Sequence, residues 1–183
     1  MLESLDQTVF YWINTGWSSP LLDACLPWLR EKWFWAPLYL FIAAFSLLNF
    51  GRRGRYILLG LALAAGLSDF TSSSIVKPAV QRIRPCNDPQ FREQVTARVP
   101  CGSGYSFTSS HAANHFAAAV FLIGVFGGYA RWVRPVLIAW AASVALAQVY
   151  VGVHYPLDVT AGALLGSLLG WGVFAMGRRW QAF

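Results

Sequence analysis

Long apolar stretches separated by short polar turns constrain this chain more than any other feature. Residues 33–50, 56–76, 109–128, 136–153 and 156–176 are each close to the roughly 20 residues a helix needs to cross a bilayer core. Lipid offers no solvent to unpaired backbone groups, so such stretches must satisfy their own N–H and C=O groups as helices. The expectation is an all-α integral membrane protein, a transmembrane helix bundle. Composition agrees: 56% of the 183 residues are hydrophobic and 12% charged, against about 25% charged in soluble domains. The net charge of +6 sits in short arginine clusters beside the apolar runs. No aromatic-interleaved basic face is present, which argues against nucleic acid as a partner.

Residues 5–14 and 20–30 form two amphipathic pieces, each too short to span. They are expected to be interfacial helices, with one broken span as the second reading, dividing the chain into an N-terminal segment, 1–32, and a bundle, 33–183, with an extracytoplasmic loop at 78–108. The N-terminus starts acidic and lacks an apolar core before a small-residue cleavage site, so it does not read as a signal peptide. The turns at Arg52–Arg55, Arg131–Arg134 and Arg178–Arg179 share one side by alternation. The positive-inside tendency makes that side cytoplasmic, in a multi-pass protein of a bacterial-type inner membrane. Ala161, Gly162, Gly166 and Gly170 form a small-residue stripe that would let helices approach closely. Cys86 and Cys101 bracket the polar loop. A disulfide there would close about 15 residues, worth roughly 3 kcal/mol in the chain-entropy model, and would need an oxidising compartment; two free thiols are the other reading. Metal-ligand spacing is absent, so neither a metal nor a cofactor is expected. Nothing in the sequence sets an oligomeric state.

Three polar clusters fall at the mouths of spans on the side opposite the basic turns. They are Lys77 to Arg84-Pro85, Thr108-Ser109-Ser110-His111, and Gln148 to His154 and Asp158. Ionisable groups at membrane depth are costly and therefore functional candidates. Cations, hydroxyls, two histidines and a carboxylate suit phosphate-ester chemistry on a lipid. Neutral His154 could attack phosphorus, with Asp158 on its other ring nitrogen fixing the tautomer. His111 could protonate the leaving oxygen. Ser109 and Ser110 open a helix, where free N–H groups favour an anion. Lys77 and Arg84 could clamp its oxygens.

The order and spacing of these pieces resemble the three-part signature of the type 2 phosphatidic acid phosphatase superfamily. The resemblance covers roughly residues 55–175. It implies a membrane lipid phosphatase working through a phosphohistidine, with His154 as nucleophile, His111 as general acid and Asp158 as the partner of His154. Lys77, Arg84, Ser109, Ser110 and Gln148 would bind substrate. The implied substrates are lipid or isoprenoid phosphates such as undecaprenyl diphosphate, phosphatidylglycerol phosphate, phosphatidate or lipid A.

Four positions depart from the family pattern: Thr108 for proline, Ser110 for glycine, Ala147 for serine and Gln148 for arginine. Losing a charge-assisted bond of roughly 1.5–3 kcal/mol at Gln148 would slow the reaction about tenfold to a hundredfold, unless Arg82 or Arg98 supplies the charge. Two alternatives therefore stand beside the hydrolase: a lipid phosphotransferase, and a weak or silent lipid-binding or transport protein. Asp69 is expected to make a helix-packing hydrogen bond to a nearby hydroxyl, or, on a sharper reading, to position Lys77. His115 is expected to pair with Asn114 or a backbone carbonyl.

Overall fold

A computed structural model describes residues 2–180. Its elements are α1 (Leu2–Tyr11), α2 (Pro20–Leu29), α3 (Ala36–Phe50), α4 (Arg52–Phe70), α5 (Lys77–Val80), α6 (Ser110–Phe126), α7 (Val133–Tyr150) and α8 (Pro156–Arg179). There are no strands among the described residues. The helix starts follow local chemistry. Ser19 and Ser109 cap α2 and α6 by accepting hydrogen bonds from Leu22 N (3.3 Å) and Ala112 N (3.5 Å). Pro20, Pro37 and Pro156 occupy first turns, where no N–H is needed.

A π-helical turn, Thr71–Val76, joins α4 to α5, so Arg52–Val80 runs as one apolar rod of 29 residues. This rod, α7 and α8 are long and apolar enough to cross a membrane. The other two predicted spans correspond to α3 and α6, which have 15 and 17 residues. Helix α3 is shorter than expected because residues 32–35 form turns, which the Trp35 indole pins by donating to Leu29 O (2.7 Å).

Small residues let the helices meet closely near the site end of the bundle, larger ones such as Ile57, Phe121 and Leu122 fill the core further along, and many large side chains also face outward. Helix α6 is central and packs on α4, α7 and α8. Its buried side is Ala112, Ala113, Ala117 and Ala119. Leu48 and Leu40 are 84% and 71% exposed, and Leu164 and Leu168 also point outward. An aqueous surface would not favour that, whereas lipid does. The glycine stripe lies on the α6–α8 contact: a Cβ at Gly162, Gly166 or Gly170 would run into the carbonyls of Ser109, Ala113 and Ala117. Four-residue spacing on one helix thus meets four-residue spacing on the other. Phe50 packs against Phe126 and Tyr129, with ring centroids 5.6 and 5.9 Å apart. That contact puts the Arg52–Arg55 and Arg131–Arg134 turns at one end of the bundle.

At the opposite end the N-terminal segment closes over the α7–α8 junction. Phe10 packs on Phe91 and Tyr155 with centroids 5.5 and 5.4 Å apart. Asn14, fully buried, donates to Tyr150 O (2.7 Å) and Thr96 O (3.0 Å). The polar loop is pinned here by a disulfide between Cys86 and Cys101, whose Cα atoms are 6.1 Å apart, leaving Cys25 as the free thiol among the described residues.

Candidate active site

Helix α7 ends at Tyr150, and Gly152, at a φ of 90°, turns the chain back toward α8. Only glycine takes that conformation without strain, and a Cβ there would also meet Val95. The turn delivers His154 beneath the loop, where it is buried. The backbone N–H groups of Val153 and His154 both donate to Gln148 O (3.3 Å each). Asp158 follows in the first turn of α8 and accepts from Tyr155 N (2.8 Å). It therefore caps α8 as well as facing the histidine.

The link between His154 and Asp158 is indirect. Their closest approach, Nδ1 to Oδ2, is 3.6 Å. Ser106 stands between them: its hydroxyl donates to Asp158 Oδ2 at 2.5 Å and lies 3.3 Å from His154 Nδ1. Because the only Ser106 hydroxyl proton is committed to the carboxylate, the serine oxygen is left to accept Nδ1–H. That tautomer leaves a lone pair on Nε2, which makes no hydrogen bond among the described residues. Burial pushes the His154 pKa down to about 4; Asp158 opposes the shift, and Arg84 and Lys77 reinforce it. The imidazole is therefore neutral at pH 7.

The two sequence-predicted cations reach the same place. Lys77 donates to Tyr105 O (2.7 Å) and Ser106 O (3.3 Å). Arg84 donates through Nε to Gly104 O (2.8 Å), and the two terminal nitrogens of its fork have no acceptor among the described residues. Burial lowers its pKa, and the charge of Arg30 adds to that.

At the head of α6, Ser110 Oγ lies 2.9 Å from Ser72 Oγ. Ser109 is fully buried and its hydroxyl is used in capping. The N–H groups of Ser110 and His111 lack acceptors among the described residues, so this end offers an anion its backbone rather than its Ser109 side chain. Ser109 N also donates to Asp158 O (3.0 Å), which ties α6 to the start of α8.

Sequence reasoning missed Ser106 and Asp6 here and gave Arg82 a different role. Arg82 bridges two buried carboxylates, Asp158 Oδ1 (2.7 Å) and Asp6 Oδ2 (2.6 Å). Asp6 also accepts from Leu157 N (2.8 Å). Burial disfavours the charged Arg82, but the two carboxylates outweigh it and raise its pKa. Ser106 lies just two residues before the Thr108–His111 cluster, and that proximity was the one signal available. Nothing local announces Asp6.

The structure also corrects the expectation for Gln148. Neither Arg82 nor Arg98 is free to replace a missing charge. Arg82 is held as described. Arg98 pairs with Asp23 and donates to Asn14 O (2.8 Å), Tyr150 O (2.9 Å) and Ser18 Oγ (2.9 Å). Gln148 itself is fully buried, and both atoms of its amide lack a partner among the described residues.

The Asp69 carboxylate accepts from Asn114 Nδ2 (2.9 Å) rather than from a hydroxyl or Lys77, while its backbone O accepts from the Ser73 hydroxyl (2.6 Å). His115 Nδ1 pairs with His111 O (2.9 Å), and its Nε2 lies 3.3 Å from Tyr39 OH. An apolar cavity of about 260 Å³ opens beside His115, lined by Tyr39, Ile42, Leu61, Ala118, Leu122 and Trp140 among others. It holds neither His154 nor His111, but begins one helical turn from the latter.

The PAP2 superfamily model matches residues 54–182. The chain belongs to the PAP2 superfamily. Among its PAP2 relatives is a lipid A 4'-phosphatase of Bacteroides thetaiotaomicron, 32% identical over 93% of this chain and 76% of the relative. An undecaprenyl-diphosphatase of Sulfolobus acidocaldarius is 33% identical over 70% of this chain and 59% of its own length. The crystal structure of Aquifex aeolicus LpxE superposes with a TM-score of 0.71 at 25% identity, covering 93% of this chain and 95% of that one. This PAP2 protein is a multi-pass membrane lipid phosphatase, a hydrolase of phosphoric esters.

Proposed function

We propose that the chain removes a terminal phosphate from a membrane lipid through a phosphohistidine on His154. The observation that carries this reading is the His154 ring. It is neutral, held through Nδ1 by Ser106 and Asp158, and leaves Nε2 unpaired. In the first step the Nε2 lone pair forms a bond to phosphorus while the P–O ester bond breaks, and His111 gives its proton to the leaving oxygen. Nδ1–H keeps its partner throughout, so the positive charge that develops on the ring faces Asp158. In the second step His111 takes a proton from water, the oxygen bonds to phosphorus, and the P–N bond breaks to free inorganic phosphate. Lys77, the Arg84 fork and the first N–H groups of α6 hold the equatorial oxygens as charge builds. Gln148 supports the turn that carries His154.

The headgroup candidates come from the relatives: a lipid A-type 4'-phosphate first, an isoprenoid diphosphate second. The cavity beside His115 would take part of the lipid tail. The site faces the outside of a bacterial-type inner membrane, with the basic turns inside, and α1 and α2 lie along the outer interface. The Cys86–Cys101 disulfide supports that side, since such bonds persist in oxidising compartments.

The test is phosphate release by the full chain in detergent, from lipid A, undecaprenyl diphosphate, phosphatidylglycerol phosphate and phosphatidate. Release from at least one, lost in His154→Ala together with an acid-labile phosphoprotein seen by mass spectrometry, is the expected result. Background release from all four would refute the hydrolase, and phosphate appearing on an added acceptor lipid would instead mark a transferase.

A further inference from the structure

We propose that Arg30, between α2 and α3, is a phosphate-binding residue of this site and provides the charge that Gln148 lacks. The inference rests on the phosphatase reading and names one more group that contacts the substrate phosphate. It starts from which cations near the site remain unpaired. Arg82 is held by two carboxylates, Arg98 by Asp23 and four further oxygens, and Lys77 by two carbonyls. In that set only the third N–H of Lys77 and the terminal nitrogens of the Arg84 fork are unengaged. Arg30 differs from all of them. No hydrogen bond or ion pair engages its side chain among the described residues, and its Nε is buried without a partner.

The fold explains how a residue so far from the three motifs arrives here. Leu29 O accepts the Trp35 indole N–H at 2.7 Å. The Trp35 ring packs edge-on against Trp140 with centroids 5.8 Å apart. Trp140 packs on His115 at 5.1 Å, and His115 is bonded to His111 O. This chain of contacts holds the end of α2 beside the head of α6. The Arg30 charge is accordingly felt at both Arg84 and His111, while Glu31 is the one acidic group acting on Arg30 itself.

Two half-buried guanidinium groups that repel each other are unfavourable on their own; Asp158 and Glu31 act on Arg84 and Arg30 only at a distance, and no ion pair joins either guanidinium to a carboxylate among the described residues. A doubly charged phosphate between them reverses the sign of that interaction and satisfies the stranded Nε donor. A glutamine at 148 is then tolerable because the second guanidinium comes from the N-terminal segment instead of from α7.

The experiment uses the full chain in detergent, with inorganic phosphate as the probe. Its affinity is measured by calorimetry and by inhibition of lipid hydrolysis. Arg30 strands no partner when replaced, so Arg30→Gln is expected to fold. Arg30→Met is the second variant, keeping the packing of the stem. Both are expected to weaken phosphate binding at least tenfold and to raise KM more than they lower kcat, with Arg30→Lys recovering part of the loss. Phosphate affinity within twofold of wild type in either folded variant would overturn the proposal. Calorimetry keeps the two readings apart: a wild-type chain that binds phosphate but hydrolyses no lipid sinks the phosphatase reading and still measures Arg30.

Discussion

Replacing Ser106 by alanine tests the site most sharply, because this residue joins His154 to Asp158. The substitution removes one hydroxyl from a fully buried position. It deletes the 2.5 Å bond to Asp158 Oδ2 and the 3.3 Å contact to His154 Nδ1. Direct contact could restore the pair only if the 3.6 Å gap closed to a hydrogen-bond distance of about 2.9 Å. The carboxylate is not free to move that far, since Arg82 holds Oδ1 at 2.7 Å and Tyr155 N holds Oδ2 at 2.8 Å. The expected loss is one hydrogen bond to a charged group, about 1.5–3 kcal/mol, which is about tenfold to a hundredfold in kcat.

The Arg82 and Tyr155 bonds persist, so the unfolding temperature should change little. The companion measurement is a double-mutant cycle with Asp158→Asn. Asparagine can donate to Ser106, turn its hydroxyl toward Nδ1 and impose the wrong tautomer. In that background Ser106→Ala should cost less than threefold more. Phosphate release with kcat and KM resolved is the assay. A folded Ser106→Ala variant within twofold of wild-type kcat, or a double variant whose losses simply multiply, would refute the relay.

Three other outcomes follow from the same geometry. The acid limb of the rate profile should fall near pH 4 rather than near 6.5, because buried His154 stays neutral down to about 4; activity is lost as pH drops through that value, the alkaline limb being set separately by loss of the His111 proton, and an acid limb at 6.5 would contradict the burial argument. Gly166→Ala should destabilise strongly by driving a Cβ into the Ala113 carbonyl, whereas Gly172→Ala, with nothing within 4 Å, should stay within about 1 kcal/mol of wild type; thermal unfolding in detergent compares them. Cys86→Ser with Cys101→Ser should lower stability by about 3 kcal/mol and activity as well, since the loop that positions Arg84 is released; unfolding and turnover of the double variant check both.

The apolar runs specified helices because lipid leaves the backbone no other partner, and that requirement acts on each stretch separately. The glycine stripe likewise announced a close helix contact on α8, since four-residue spacing is a property of one helix, but not that α6 is the partner. The three clusters were legible as pieces: Lys77 and Arg84, Ser110 and His111, His154 and Asp158 each sit near one helix end. Their mutual connections were not. Ser106 reaches Asp158 across 52 residues, and Arg82 reaches Asp6 and Asp158 across 76 in each direction. Tertiary packing also showed that Arg82 and Arg98 are already paired and left Arg30 unpaired. A residue type and its local spacing state what chemistry a side chain can do. Which charges cancel, and which remain open to a phosphate, depends on distances of a few ångströms between segments that only the folded bundle brings together.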